Sequence, residues 1–437
     1  MLNGQGAKDR SVLYISAAIA IIFIALSVFM PDQMAVGTNG AMGFLTDKFG
    51  WFYLLAVFVF TVFVFGLAIS PYGKIKLGQD NEKPEFSNGK WFAMLFSGGM
   101  GIGLVFWAVA EPMIHYAAPP TGEAGTHEAQ LLAMRIVFND FGLHPWLIYM
   151  VCGLALGYFQ FRKGLPCLIS SAFYPILGER IHGPIGKAID ILAVFATLFG
   201  ISTSLGLGAG QIAAGIQYIW GVQATPAMTA IVIAIMTVIF TMATVSGLHK
   251  AMQFVANTKM ALSVGFMVFI FLFGGSVYIL DTFTHTLGDY TQNFIGQSLW
   301  MGNKEWVEAW PIFYRAWYIA WAAFVGEYIA RISRGRTIRE VAIAASFLPA
   351  GFCLIWLGIY GGAAFNLNEK AGGAIQAAVS NDYSTALFAM LQQMPLYAIT
   401  APLALILIVA SFAGAANGAA FVLGMLTSGG DHNPSKK

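Results

Sequence analysis

The sequence predicts an all-α protein that crosses a membrane about ten times. Three observations carry that expectation: scarce charge, apolar runs of spanning length, and lysines and arginines gathered in alternate loops. Only 10% of the 437 residues are charged, 58% are hydrophobic and the mean hydropathy is +0.70, whereas soluble chains carry about 25% charged residues. The net charge of +2 offers no basic field for nucleic acid. The three cysteines, Cys152, Cys167 and Cys353, are scattered without a CxxC pair. Cys152 and Cys353 sit inside apolar runs and read as small buried residues rather than metal ligands.

A helix needs about 20 apolar residues to cross the hydrocarbon core. Ten runs meet that length: about 12–30, 51–70, 92–110, 142–160, 189–208, 227–246, 259–280, 311–330, 341–361 and 396–426. Residues 1–10 are polar and the first run outlasts a signal peptide, so it reads as an uncleaved span. Amphipathic surface helices are expected around 125–139, 292–302 and 371–393.

Loop charges orient the layout. With the N-terminus inside, the inner loops hold 18 of the basic residues: Lys8, Arg10, Lys74, Lys76, Lys83, Lys90, Arg162, Lys163, Arg180, Lys187, Lys250, Lys259, Arg331, Arg334, Arg336, Arg339, Lys436 and Lys437. The outer loops hold four, Lys48, Arg135, Lys304 and Lys370, and Arg315 falls within a span. Such a bias predicts cytoplasmic termini at both ends.

Three segments depart from plain greasy helix. Ser97–Gly103 in the third span has glycine at 98, 99, 101 and 103. Each weakens a helix by about 1 kcal/mol relative to Ala. The run either unwinds to expose backbone groups, as at transporter binding sites, or packs closely against a neighbour. Phe313–Trp321 in the eighth span puts Tyr318 and Trp321 on one helix face, extended by Phe324 and Val325. It reads as core or interface belt, or as a ligand wall; Arg315 inside it must face a partner or a cavity. Asn139–Tyr149 opens the fourth span, with Phe141 and Tyr149 two turns apart. Here Asn139 or Asp140 is the expected helix cap and Trp146 the interface anchor. A membrane-embedded rim of rings suits a cation that cannot donate hydrogen bonds, at about 0.5–2 kcal/mol per desolvated ring face. A methylated onium solute has that chemistry.

These blocks resemble the betaine/choline/carnitine transporter family over nearly the whole chain. The matching residues are Phe49–Leu54, Lys83–Ser87, Gly99–Gly103, Glu111-Pro112, Ser170–Pro175, Thr203–Gly208, Phe324–Gly326 and Ala330–Glu340. The resemblance implies an inverted-repeat fold of the LeuT kind, with five-helix repeats beginning at the third and eighth spans. It also implies homotrimers in a bacterial inner membrane and solute transport by alternating access. The implied substrate site comprises Phe141, Tyr149, Trp317, Tyr318 and Trp321, faced by Gly99, Met100, Gly101 and Gly103. On this basis the chain divides into 1–90 (two peripheral spans), 91–280 (first repeat), 281–310 (an amphipathic outer segment) and 311–437 (a partial second repeat).

Departures from the family pattern shape the functional expectation. Phe141 and Tyr318 stand where tryptophan is usual, which weakens the cage for a cation. Asp140 replaces a histidine and either caps the helix or attracts an onium head. Gly414-Ala415 replace the Thr-Ser pair of sodium-coupled members, and Asn417 replaces an Asp, so sodium coupling is in doubt. Asp140, Arg315 and Glu327 are the candidate coupling charges: Glu327 as a proton carrier, Arg315 as a fixed positive charge in place of sodium. The coupling ion stays open between a proton and solute exchange; no cofactor or metal is expected. The family has twelve spans and this chain ends after the tenth, so its second repeat reads as truncated. The function expected is transport of a quaternary-ammonium or related zwitterionic solute such as glycine betaine, choline or carnitine. The alternatives are transport of another zwitterion, such as an amino acid or ectoine, and a substrate-binding remnant that does not transport. No HExxH, GxSxG or paired-Asp motif supports an enzyme.

Overall fold

Backbone groups inside lipid have no water to bond, so a spanning chain closes its hydrogen bonds within helices. The computed structural model describes residues 10–99, 101–246 and 249–431, and the regular structure among them is helical apart from one isolated bridge. The helices are α1 Ser11–Phe29, α2 Pro31–Ile69, α3 Asn88–Gly99, α4 Ile102–Ala117, α5 His127–Phe141 and α6 Leu143–Gly157. Then come α7 Tyr174–Leu177, α8 Pro184–Trp220, α9 Pro226–Ser246, α10 His249–Phe273, α11 Ser276–Ser298 and α12 Lys304–Val307. The chain closes with α13 Phe313–Ile332, α14 Ile338–Lys370, α15 Ala374–Asn381, α16 Ala386–Gln392 and α17 Tyr397–Thr427.

Seven of these stretches are long and apolar enough to cross a membrane: 11–29, 31–69, 127–162, 184–220, 254–273, 338–370 and 397–427. The expected runs 92–110, 227–246 and 311–330 fall elsewhere. They map to the broken pair α3–α4, to α9 with its shorter apolar window Pro226–Met242, and to α13, which carries Arg315, Glu327 and Arg331. Two of these interruptions have a sequence cause: glycine in the first, charge in the last.

Three helical expectations change. α2 begins at Pro31, a residue whose fixed φ suits a first helical turn, rather than near 51; its 39 residues extend about 58 Å. The segment 125–139 is no surface helix: Ala133, Met134, Val137 and Phe138 of α5 are buried, because α5 is wedged between α4 and α11. Within 371–393, α16 is likewise buried through Leu387, Phe388, Met390 and Leu391, against α4 and α17. The 292–302 region keeps a largely exposed outer face.

α6 and α13 pair most intimately at the centre, flanked by α8, α14 and α4, while α1 and much of α2 lie outside. Ile21, Ile22, Ile24, Val28 and Phe29 of α1 are exposed; a face of this kind belongs against lipid.

Residues expected in inner loops gather at one end of the bundle. Leu77 N donates to Arg336 O (2.8 Å) and Gly335 N to Leu77 O (2.7 Å), forming a small clasp with the Lys76–Thr337 bridge. Arg336 lies over the Trp91 ring (3.8 Å to its centroid) and donates to Phe86 O and Asn88 Oδ1. Arg162 donates to Gly78 O and to Asp80 Oδ1 at 2.8 Å, and this guanidinium holds the Asp80 carboxyl below the usual carboxylate range. At the other end Lys48 and Lys304 share Asp47, and Asn303 reaches Pro120 O.

The clasp closes tightly on Gly335, whose φ is +80° and where a Cβ would meet Lys83 O at 2.4 Å. Gly164 has φ +72° with open space around it. Gly335→Ala is therefore expected to destabilise the purified chain by about 1–3 kcal/mol and lower its melting temperature more than Gly164→Ala does; equal melting of the two variants would contradict the clasp.

Candidate functional site

The glycine run does break its helix. α3 ends at Gly99 and α4 starts at Ile102, with Gly101 extended (φ −86°, ψ 163°) as the residue before it. Met100, expected in the site, lies outside the described residues. Because α4 starts afresh here, the first N–H groups of its opening turn have no intrahelical acceptor. α6 also starts at a break: at Gly142 (ψ −123°) a Cβ would meet Phe138 O at 2.4 Å and Tyr290 Oη at 2.7 Å. Tyr290 Oη accepts from Leu143 N across that bend. α13 is entered through a π-helical turn over Glu308–Ile312 that contains Pro311, a residue that cannot donate to a helical ladder.

A cavity of about 120 Å³ is lined in part by Gly101, Gly103, Phe141, Tyr149, Trp317, Tyr318 and Trp321, drawn from the helices that these breaks begin or end. Of the sequence-predicted residues, then, two glycines and all five aromatics come together there; Gly99 ends α3 next to the break. Tyr149 stands edge-on to Tyr318 (6.2 Å, 87°), Phe141 edge-on to Tyr318 (6.5 Å, 76°), and Trp317 is parallel to Tyr318 (6.1 Å, 8°). The indoles of Trp317 and Trp321 both donate to Gly200 O of α8, at 3.3 and 3.0 Å. Gly200 has to be small: a Cβ would lie 3.0 Å from Ala320 Cβ and from Trp321 Cδ1. At Gly103 a Cβ would lie 3.0 Å from Trp317 Cη2. The Tyr318 hydroxyl has no hydrogen-bond partner among the described residues, and no Asp, Glu, Lys or Arg is among the lining residues. Such a chamber can hold a compact solute with a cation against ring faces and an acceptor at the backbone of the broken helix.

The three candidate coupling charges do not line it. Asp140 is neither cap nor cavity wall: α6 is preceded by Gly142 without a side-chain cap, and Asp140 Oδ1 accepts from Arg315 Nη1 at 2.8 Å, both side chains 1% exposed. Arg315 is thus bound to a carboxylate rather than standing as a free positive charge. Glu327 is buried elsewhere, against Cys167 and Gln160. Asn139 likewise caps no helix; its backbone oxygen engages His144 Nδ1 at 3.0 Å. Trp146 is 6% exposed and lines the cavity, so it is a wall residue and not an interface anchor. Around Asp140 the structure assembles Glu111 and His115 with atoms within 4.8 Å of one another. Arg315 occupies one Asp140 oxygen and Tyr314 Oη donates to one Glu111 oxygen, an arrangement that disfavours a divalent ion beside the guanidinium.

Known proteins share this sequence closely. A sequence profile described as "BCCT, betaine/carnitine/choline family transporter" matches residues 11–437. The chain belongs to this family. It is 65% identical over 437 residues to a protein of Desulfitobacterium hafniense (strain Y51) named "Probable glycine betaine transporter", covering 100% of this chain and 88% of that one. It is 46% identical to the Glycine betaine transporter OpuD of Bacillus subtilis (strain 168), covering 97% of this chain and 84% of the relative. It is 37% identical to the High-affinity choline transport protein of Escherichia coli (strain K12), covering 98% and 64% respectively. The protein is a multi-pass plasma-membrane transporter rather than an enzyme. The profile match runs through residue 437 and lends the truncation expectation no support.

Several wall residues of the transporter were not expected in the site. Pro145 and Trp146 fall in the segment 139–149, Ser204 in the family-matching block Thr203–Gly208, and Cys353 in an apolar run where it read as a small buried residue. The Gly200 contact carried no signal in the sequence.

The Asp140–Arg315 pair makes a two-part expectation. Arg315→Met leaves a buried carboxylate without its counter-ion and is expected to cost about 3–5 kcal/mol, measured by thermal melting in detergent. Arg315→Met with Asp140→Leu removes both charges and is expected to recover most of that loss; a double variant no more stable than the single one would refute the pairing.

Proposed function

We propose that this transporter carries glycine betaine or a closely related methylated onium solute by secondary active transport, with the aromatic cavity as its substrate site. The observation that carries the reading is the cavity's make-up: ring faces from α5, α6 and α13, no ionised residue in the wall, and a helix restarting at Ile102 within that wall. A quaternary ammonium donates no hydrogen bonds, so ring faces suit it better than carbonyls or hydroxyls do. The solute's carboxylate would lie at the start of α4, where free N–H groups and the positive helix end favour an anion. The unpartnered Tyr318 hydroxyl offers one further donor. Phe141 and Tyr318 present smaller faces than tryptophan and so hold a cation more weakly. The names of the relatives, two for glycine betaine and one for choline, support the same range of solutes.

In this reading the fold is an inverted repeat that rocks around the cavity, the termini are cytoplasmic and the assembly is a homotrimer; the last rests on family resemblance alone. The charge bias of the loops supports the orientation. So does their clustering: Lys76, Arg162, Arg334 and Arg336 meet at one end, Lys48 and Lys304 at the other. Coupling to sodium through Gly414 and Ala415 of α17 is disfavoured, since neither supplies a hydroxyl oxygen and sodium prefers oxygen donors.

Uptake of labelled glycine betaine into proteoliposomes tests the reading. Tyr149→Leu removes one ring face and is expected to weaken apparent affinity by about 2- to 30-fold, the equivalent of about 0.5–2 kcal/mol. Uptake that is absent in the unaltered chain, or unchanged in Tyr149→Leu, would refute the assignment. Uptake strictly dependent on sodium would remove the coupling part alone.

A further inference from the structure

Beside the aromatic cavity lies a second buried polar group that solute binding leaves unused. Glu111 and His115 stand one turn apart on α4, and Asp140 meets them from the end of α5. Arg315 and Tyr314 enter from α13, bonded to Asp140 and Glu111 respectively. All five side chains are at most 1% exposed.

Counting charge identifies what the cluster lacks. Two carboxylates, Glu111 and Asp140, face one guanidinium, Arg315, so with a neutral imidazole the net charge is −1. A buried unbalanced charge is strongly disfavoured. Glu111 Oε1 and Asp140 Oδ2 accept no hydrogen bond, and His115 Nε2 and Arg315 Nε and Nη2 donate none, among the described residues; Glu111 Oε1 lies 3.8 Å from His115 Nε2. Asp140 has its counter-ion. Glu111 has only a phenol and an imidazole, both neutral. The imidazole is also steered away from taking a second hydrogen, because Trp306 Nε1 donates towards His115 Nδ1 (3.4 Å). The other titratable groups facing the cluster are Tyr318 of α13, Tyr290 of α11 and His144 of α6. Tyr290 and His144 are engaged with Leu143 N and with Asn139 O and Ser298 Oγ.

We propose that Glu111 is the seat of a transported or regulatory proton, taken up from bulk water as an O–H on its carboxyl and bringing the cluster to neutrality. The proton site and the cavity share one side chain. Tyr314 donates to Glu111 while its ring packs on Phe141 (5.3 Å), Tyr318 (5.7 Å) and Trp317 (5.8 Å). Protonating Glu111 removes the charge assistance from the Tyr314 hydrogen bond and loosens the ring that backs the cavity. Proton and solute therefore bind with reciprocal coupling. This linkage rests on the solute cavity proposed above; the proton site itself does not.

Two readouts on the full chain in lipid nanodiscs separate the claims. Infrared difference spectra between low and high pH, without solute, are expected to contain a protonated-carboxyl stretching band that Glu111→Gln removes; the same band at full strength in Glu111→Gln overturns the proposal. Should that variant fail to fold, Tyr314→Phe takes its place. Loss of the phenol donor must shift the band, and an unshifted band overturns the proposal equally. The second readout is glycine betaine affinity by tryptophan fluorescence at about pH 5 and about pH 8, expected to differ by about tenfold in the unaltered chain and by less than about twofold in Glu111→Gln. An equal pH response in both chains overturns the coupling. If glycine betaine changes the fluorescence at no pH, the solute reading fails while the infrared band still decides whether Glu111 takes up a proton.

Discussion

The site depends on how closely α6 approaches α13. Gly153 and Gly326 face each other there: a Cβ on Gly326 would lie 2.8 Å from Cys152 Cβ, and one on Gly153 would lie 3.1 Å from Gly326 O. Side chains at those points would hold the helices apart. Because both are glycine, Tyr149 and Phe141 on one side of the contact reach Tyr318 on the other at ring-contact distance. Small residues at a membrane helix contact give dispersion a short working distance, in a medium where the hydrophobic effect does not drive helices together. The aromatic wall is then a consequence of backbone proximity. α8 contributes from behind, where the carbonyl of Gly200 holds two indoles at once.

A second constraint is the handling of charge. The α4–α5–α13 contact holds two carboxylates and a guanidinium with almost no exposure. In such a setting a charge needs a partner, and the partners come from different helices: Asp140 of α5 accepts from Arg315 of α13, and Glu111 of α4 accepts from the Tyr314 hydroxyl of α13. The cluster thus fixes the rotation of three helices about their axes while the cavity next to it stays free of ionised walls. That separation suits recognition of a zwitterion. An ionised wall residue would bind one end of the solute strongly and hinder release, whereas ring faces and backbone dipoles hold it more weakly.

Much of this was legible in the sequence because membranes impose strict rules. Apolar runs of spanning length translate directly into helices, and glycine density marked 98–103 as either a helix break or a close packing contact; the structure shows the break, between Gly99 and Ile102. Tyr318 and Trp321 were found through their spacing and Trp317 through family resemblance; Phe141 and Tyr149, read as two turns apart on one helix, stand on α5 and α6 either side of the break at Gly142. Pairing across helices was not legible. Asp140 reads as a helix cap when only its neighbours are known, since Asp before an apolar run is the usual cap signal; its true partner is 175 residues away in sequence. Arg315 and Glu327 were read together as candidate charges twelve residues apart, yet each answers to a different helix. The buried α5 was misread for a related reason: its mixed composition resembles a surface helix until the neighbours covering Gln130, Asn139 and Asp140 are known.

The proposed function rests on a positive charge being met by ring faces without a carboxylate's help. Glycine betaine and 3,3-dimethylbutanoate share shape and carboxylate, and differ only in the charge at the branched centre. The most direct measurement is their relative affinity for the purified chain by calorimetry. Ring-face recognition predicts that the uncharged isostere binds at least about tenfold more weakly, the loss expected when a cation–π contribution of about 1.4 kcal/mol or more is removed. Equal affinity would contradict it, leaving a merely greasy cavity beside a broken helix.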